Sequence, residues 1–326
     1  MIEIILLVFI SIFLGMNMGA SGFSISFTPS YGSGLLTRTK ASLFYTIFVL
    51  IGGILIGPRV VYTLTMKISQ ASFGGYSGLI IIISSGLMMF LTNLLKIPQS
   101  TSFITVAAFT GAAFYHYGIK GVNWYTIMKI LYVAVLFCIL AFLVTYFIKK
   151  IFYPPRSSNF RLYEKSVVHS DKLKKFIIVT DFYSAFAVGT NNIANVVAPV
   201  LLSVSINPIL CILLIGLSFG IGSLVFGKGV INTISKEIIP IGQISAGIIS
   251  FVTSSFVIIA SLLGLPTPYV QFTTFSVLAI SSVKDGFYLT YKKSVVQKII
   301  SVWVAVPVLT FLLSYLLHIL LYSRRF

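Results

Sequence analysis

A series of apolar runs, several of them long enough to cross a lipid bilayer, constrains this chain more than any other feature. A membrane-spanning helix needs roughly 20 predominantly apolar residues. Of the 326 residues, 57% are hydrophobic and only 9% are charged, and the mean hydropathy is +1.03. A soluble domain of this length has too little interior for so much apolar surface. The sequence therefore predicts an all-α polytopic membrane protein. The approximate runs are residues 2–14, 41–64, 79–95, 103–117, 124–152, 176–204, 208–226, 241–263, 272–283 and 295–322.

The formal net charge of +17 belongs to the loops between these runs. An excess of Lys and Arg in a loop marks the cytoplasmic side of a membrane. We therefore predict a multi-pass plasma membrane protein, in contact with lipid, whose central basic loop is cytoplasmic and whose N-terminus lies outside. A nucleic-acid partner is not expected. The largest basic group comprises Lys149, Lys150, Arg156, Arg161, Lys165, Lys172, Lys174 and Lys175.

The residue patterns of enzymes and metal sites are missing from the sequence. Cys138 and Cys211 both fall within apolar runs, which argues against a structural disulfide. His116, His169 and His318 have no spacing that indicates a metal site, and no Walker, Rossmann or Ser-His-Asp pattern occurs. We expect neither an enzyme nor a bound cofactor or metal.

Two related polar interruptions lie inside apolar surroundings. Residues 15–21 read Gly-Met-Asn-Met-Gly-Ala-Ser, and residues 189–195 read Gly-Thr-Asn-Asn-Ile-Ala-Asn. Amides and glycines are costly in a bilayer unless they line a cavity enclosed by protein. We therefore expect broken or re-entrant helices at these positions and a binding site between them.

Other elements also recur in the same order, which indicates a duplication. The pattern Leu-Leu-x-x-Pro occurs at residues 94–98 and 262–266, and each copy precedes a closing apolar run. About five segments per half would insert the second half upside down relative to the first, the inverted-repeat architecture of alternating-access carriers. We predict an N-terminal repeat over residues 1–152, a basic cytoplasmic linker over 153–174 and an inverted C-terminal repeat over 175–326.

These motifs resemble those of the inorganic phosphate transporter (PiT) family over nearly the full length. That family carries a Gly-Ala-Asn-Asp-x-x-Asn signature and a Leu-Pro-x-Ser-Thr-Thr type motif in each half. Here the clearer copies are residues 189–195 and the Ile-Pro-Gln-Ser-Thr-Ser stretch at 97–102. Residues 16–22 and 31–34 are closer to the bacterial sulfate permease branch, the CysP-type proteins. The resemblance implies a helical carrier that binds an oxyanion between inverted repeats and takes it up with a coupling ion.

The departures from the family pattern favour sulfate. Met18 and Asn192 stand where the phosphate carriers have aspartate, and Ser21 replaces the final Asn of the first signature. Phosphate near neutral pH keeps a proton and benefits from a carboxylate acceptor, whereas sulfate is fully deprotonated and needs only donors. The same loss weakens the transfer of sodium coupling from the family to this chain.

Amides and hydroxyls in the two signatures and the two proline motifs are the candidate ligands. A half-helix starting near Pro98 would direct its N-terminal N–H groups toward the anion. Each residue also has an ordinary alternative, because Ser and Thr often bond the preceding turn and Asn often joins helices. The predicted substrate-binding residues are Asn17, Ser21, Ser100, Thr101, Ser102, Asn191, Asn192, Asn195 and Thr267.

Charged residues near the membrane segments form a second group of candidates. Asp181 lies within an apolar run and is a candidate proton-coupling residue, or a helix-end acid that pairs with a lysine. Arg59 either attracts the anion or lies at the membrane interface.

The sequence thus predicts a secondary active transporter that imports sulfate by proton symport. An inorganic phosphate transporter, coupled to sodium or protons, is the first alternative, and a passive oxyanion channel is the second. A homodimer is an open alternative to the monomer.

Overall fold

We describe a computed structural model of the chain at residues 2–32, 34–70, 73, 76–95, 97, 99–152, 170–237 and 243–322. Within these ranges the chain is helical, without a β-strand. Pro98 and most of the predicted linker, residues 153–169, lie outside the described residues.

The helices follow the predicted apolar runs, with two short helices and a π-helical turn between them. In order they are α1 (Ile2–Gly32), α2 (Arg38–Leu55), α3 (Gly57–Tyr62), the π-helical turn (Thr63–Lys67), α4 (Ser77–Leu94), α5 (Thr101–Gly121), α6 (Trp124–Phe152), α7 (Ser170–Asn191), α8 (Ala194–Ser203), α9 (Pro208–Glu237), α10 (Gln243–Leu262), α11 (Tyr269–Asp285), α12 (Phe287–Lys292) and α13 (Ser294–Tyr322).

Seven stretches of helix in the described part of the chain are long and apolar enough to cross a membrane. They lie in α1, α2, α6, α9, α10 and α13 and in the α7–α8 pair. Large apolar side chains such as Tyr132 and Val304 are exposed on the outer helices, whereas Asp181 and many Ser, Thr and Asn side chains are buried. Apolar residues outside and polar residues inside are typical of a bundle solvated by lipid. The predicted all-α, multi-pass membrane fold is confirmed.

Two helix pairs that join the N-terminal and C-terminal halves are antiparallel. The end of α1 meets the middle of α7, because the backbone N–H of Ser30 donates to Asp181 (3.0 Å). Earlier in α1, Gly22 lies against Val188 near the end of α7. Helix α2 is likewise antiparallel to α9, since Gly220 faces Thr46 and Gly216 faces Leu50, one turn further along α2.

The expectation of a break at residues 15–21 is wrong, because α1 continues through them without interruption. The glycines there allow close packing of α1 against α9. A Cβ atom at Gly19 would lie 2.2 Å from the Phe219 carbonyl oxygen, and one at Gly222 would lie 1.9 Å from that of Met16. Glycine thus lets two helix backbones touch, as small residues commonly do in membrane bundles.

Two histidines that are distant in the sequence lie close together in the structure. His116 on α5 and His318 on α13 have ring centroids 5.5 Å apart. Cys138 and Cys211 are buried free thiols on α6 and α9. Among the described residues, no three His, Cys, Asp or Glu side chains group closely enough to hold a metal ion.

Candidate functional site

The second polar interruption is a true break in a membrane helix. Helix α7 ends at Asn191, Asn192 and Ile193 form a turn, and α8 begins at Ala194. The break leaves Asn191 and Asn195 buried on either side of the turn. Three of the predicted amides therefore lie at the junction of α7 and α8, inside the protein.

The first proline motif forms the N-terminus of α5. Ser100 has an extended conformation, and its hydroxyl accepts a hydrogen bond from the N–H of Phe103 (3.3 Å), which makes Ser100 the N-cap. Thr101 and Ser102 form the first turn, as expected from the motif. This helix end presents backbone N–H groups and a partial positive charge, which favour an anion.

The second proline motif forms a similar helix start at α11. After α10 ends at Leu262, Gly264 adopts a φ of +72°, and the chain turns back through Leu265 to the buried Thr267. A positive φ suits glycine because it has no Cβ to clash with the backbone. Helix α11 then begins at Tyr269.

The side chain of Asn191 joins these two helix starts. Its Oδ1 accepts from the Ser102 hydroxyl and from the backbone N–H of Thr267, both at 3.1 Å. Its Nδ2 donates to the Ser261 hydroxyl (2.9 Å) and to the Leu265 carbonyl (3.1 Å). All four hydrogen bonds are to protein groups, so Asn191 holds the two proline motifs in register.

Asn195 connects α8 to the same place. Its Nδ2 donates to the hydroxyls of Thr101 and Ser102, each at 3.0 Å. Two glutamines that sequence reasoning missed add to the group, because Gln271 Nε2 on α11 donates to Gln99 Oε1 at 3.3 Å. We call the whole set the amide-hydroxyl cluster. Its members are Gln99, Ser100, Thr101, Ser102, Asn191, Asn195, Ser261, Thr267 and Gln271.

Four buried polar atoms of the cluster make no hydrogen bond within the described residues. They are Gln99 Nε2, Gln271 Oε1, Asn195 Oδ1 and Thr267 Oγ1. Buried polar atoms usually find a partner, so an orphaned group points to a water or a ligand. Donors and acceptors are both present, and every member of the cluster is formally neutral. The arrangement suits a polar or anionic ligand at the two helix N-termini.

Asp181 lies outside the cluster, ten residues before Asn191 on α7. Its Oδ2 accepts from the Ser30 backbone, and its Oδ1 has no partner within the described residues. Asp181 is fully buried and forms an ion pair with no lysine of the described residues, whereas Lys174 pairs with Asp171 (3.1 Å). The alternative that Asp181 is a helix-end acid paired with lysine is therefore wrong.

A chain of hydroxyls leads from the surroundings of Asp181 to the start of α11. One turn beyond Asp181, the Ser184 hydroxyl bonds the phenol of Tyr269 and the hydroxyl of Ser26. The same phenol also bonds the hydroxyl of Ser254 (2.9 Å). Tyr269, another residue that the motifs did not reveal, directly follows the Thr-Pro of the second proline motif.

Three predicted residues make no described hydrogen bond to the cluster through their side chains. Asn17 is half-buried on α1 and donates to the carbonyl of Phe13 on its own helix (3.0 Å). Ser21 is half-buried one turn later. Asn192 is only 8% exposed and lies in the turn between α7 and α8.

Comparison with known proteins shows which transporters this chain resembles. A family model described as the phosphate transporter family matches residues 18–314. The sulfate permease CysP of Bacillus subtilis (strain 168) is 33% identical over 309 residues, which are 94% of this chain and 85% of that protein. A solved structure described as the sodium-dependent phosphate transporter superposes with a TM-score of 0.81 over 99% of this chain and 100% of that one, at 19% identity. At 19% identity, this structural similarity supports the shared fold alone.

Proposed function

This chain belongs to the phosphate transporter family, and on that premise we propose that it imports inorganic sulfate across the plasma membrane by proton symport. The family and its relatives are transporters rather than enzymes. The substrate class is an inorganic oxyanion. Family membership does not specify sulfate as the substrate, the proton as the coupling ion or import as the direction of transport, and these three points are our proposal.

The observation that carries the proposal is the neutral amide-hydroxyl cluster at the N-termini of α5 and α11. Helix N-termini favour anions through their N–H groups and dipoles. Of its four unpartnered buried polar atoms, Gln99 Nε2 and Thr267 Oγ1 can donate to an anion. We propose that Gln99, Ser100, Thr101, Ser102, Asn195, Thr267 and Gln271 surround the anion, that Asn191 positions them, and that Asn192 lines the approach.

Sulfate is favoured because the cluster contains no carboxylate. A protonated phosphate carries an O–H that needs an acceptor, and a carboxylate meets that need while repelling a dianion. The positions of the family aspartates hold Met18 and Asn192. The relative named as a sulfate permease supports the same choice. Phosphate remains the alternative, supported by the family description and by the name of the structural neighbour.

Asp181 is the proposed proton-coupling residue. It is the one acid in the membrane interior of the described chain, and the Ser184–Tyr269 hydrogen bond lies between it and the start of α11. Entry of a dianion against an inside-negative potential costs about 2.3 kcal/mol per charge per 100 mV, so accumulation needs cotransported cations. Two protons would make transport electroneutral, and three would make it inwardly electrogenic.

We propose alternating access of two inverted repeats, residues 1–152 and 175–326. The antiparallel α1–α7 and α2–α9 pairs support this arrangement. With the basic linker in the cytoplasm, α7 runs outward from it and α1 runs inward, so the N-terminus lies outside. Rocking of one repeat against the other would expose the cluster to each side in turn.

Uptake of labelled anions into proteoliposomes tests the proposal. We expect an inward proton gradient to drive sulfate accumulation, an inward sodium gradient to drive none, and excess phosphate to leave the rate unchanged. Empty liposomes control for leakage, and a proton ionophore should abolish the accumulation. Sodium-driven phosphate uptake would overturn both the sulfate and the proton assignments.

A further inference from the structure

A pocket with two cationic side chains in its lining lies next to the amide-hydroxyl cluster. It has a volume of about 410 Å³ and opens to the surface of the protein. Small-molecule pockets typically measure roughly 300–1,000 Å³, so this one has room for a partly hydrated oxyanion. We call it the basic vestibule. The lining residues on which the inference rests are Arg59, Tyr62, Thr63, Lys67, Leu263 and Gly264.

Two cations define the chemistry of the basic vestibule. Arg59 and Lys67 are both exposed, and neither forms an ion pair with an acid in the described residues. Nη1 of Arg59 donates to the Leu262 carbonyl (2.8 Å), which fixes the direction of the guanidinium. Nζ of Lys67 lies 5.3 Å from the centre of the Tyr62 ring. A guanidinium and an ammonium in one pocket carry the charge that attracts a divalent oxyanion.

One segment forms a wall of both sites. Residues 262–264 line the basic vestibule, and the next residue, Leu265, accepts a hydrogen bond from Asn191 of the cluster. A Cβ at Gly264 would lie 3.0 Å from the Arg59 carbonyl oxygen, so α3 packs directly on this segment. The basic vestibule is therefore adjacent to the cluster along the chain and in space.

The helix directions place the basic vestibule on the side of the cluster that faces away from the linker. Helix α7 starts after the linker, and α2 runs parallel to it, since Phe44 packs on Phe182 and Gly52 lies against Thr190. Helix α10 is also parallel to α7, because Gly247 lies against Phe176 and Ser261 bonds Thr190. The ends of α2 and α10, which frame the pocket, thus lie far from the linker. With a cytoplasmic linker, the basic vestibule lies on the outer side of the cluster.

We propose that the basic vestibule is an external capture site that binds the free inorganic oxyanion before it reaches the cluster. This assignment rests on the proposed transport of an oxyanion. Arg59 and Lys67 concentrate the dianion at the mouth by attraction, and their exposure to water keeps the binding weak enough for transfer inward. Neutral donors then hold the anion in the interior, where a full countercharge would retain it. The basic vestibule thus attracts the anion, and the neutral cluster allows the anion to be released.

Thiol reactivity in the basic vestibule tests the assignment without requiring transport. Leu263 is 56% exposed in the pocket wall, and Cys138 and Cys211 are buried, so Leu263→Cys supplies an accessible reporter. Its rate of modification is measured with an anionic and a neutral methanethiosulfonate reagent. We expect sulfate to slow the anionic reagent more than chloride does at equal ionic strength.

Removing the two charges in the Leu263→Cys background should lower the rate with the anionic reagent only. We expect the modification rate to fall roughly five-fold for each of Arg59→Gln and Lys67→Gln. This is the effect of losing one charge pair about 4 Å apart in water. Arg59→Lys should restore most of the rate. Lys40→Gln is the matched control, because it removes one charge about 27 Å away at the other end of α2. Equal rates in the neutralised and control variants would refute the capture site.

The same pocket chemistry suits a lipid phosphate, and vesicle composition separates the two sources. If the reactivity follows the phosphatidylglycerol content rather than the free sulfate concentration, the inference is wrong. In a parallel transport assay, Arg59→Gln should raise KM for sulfate roughly five-fold with Vmax unchanged. Absence of sulfate transport by the unmodified protein would overturn the proposed function, while the thiol rates would still decide the capture site.

Discussion

Replacing Asn191 by alanine should damage transport far more than the same change at Asn17. Asn191→Ala removes four hydrogen bonds, to Ser102, Thr267, Ser261 and Leu265. Hydrogen bonds between membrane helices contribute roughly 0.6 kcal/mol each, so the four amount to about 2.4 kcal/mol. Because 1.4 kcal/mol corresponds to about tenfold, Vmax/KM for sulfate should fall by up to roughly 50-fold.

Asn17→Ala is the matched control, since it also removes one amide from a signature motif. The Asn17 amide bonds the carbonyl of its own helix, at Phe13. Loss of such a bond costs roughly 1 kcal/mol at most and should leave sulfate transport near the level of the unmodified protein. Initial rates in proteoliposomes give Vmax/KM, and size-exclusion chromatography in detergent confirms that both variants fold. Equal losses in the two variants, or full activity of Asn191→Ala, would refute the role of the bridge.

Three further substitutions test the coupling residue, the anion preference and the helix packing. Asp181→Asn should abolish proton-driven accumulation but keep sulfate counterflow, and loss of both activities would contradict a coupling role. Asn192→Asp should lower the ratio of sulfate to phosphate uptake roughly ten-fold or more, since a carboxylate repels the dianion; an unchanged ratio in dual-label uptake would contradict this. Gly19→Ala should destabilise the protein by about 1–3 kcal/mol through its contact with Phe219. Gly86→Ala, with nothing within 4 Å of its Cβ, should be neutral or stabilising in the same thermal unfolding assay.

The sequence predicted the fold well because lipid imposes simple constraints. Hydrocarbon demands long apolar helices, and the described parts of the ten predicted runs lie largely in helices of the structure. The predicted half-helix near Pro98 is likewise a helix that begins at Thr101. Proline and an N-cap serine favour a helix start wherever they occur, so this feature is local.

Long-range contacts explain what the sequence could not predict. Gly19 and Gly189 belong to similar motifs, yet α1 continues through the first and α7 ends shortly after the second. Both glycines lie against the backbone of another helix, Gly19 on Phe219 and Gly189 on Val49, so close packing by a glycine does not by itself predict a break. Gln99 and Gln271 meet although 172 positions separate them. Gln99 lies inside a recognised motif, but no sequence pattern indicated Gln271.

A structure with bound selenate, a heavier analogue of sulfate, tests the central claim most directly. Its anomalous scattering locates the anion independently of any assumed ligand. We predict a peak between the N-termini of α5 and α11, within hydrogen-bond distance of the Thr101 or Thr267 hydroxyl. An anion bound only near Asn17 on α1, or a cluster still filled by water at saturating selenate, would contradict the assignment of the amide-hydroxyl cluster as the transport site.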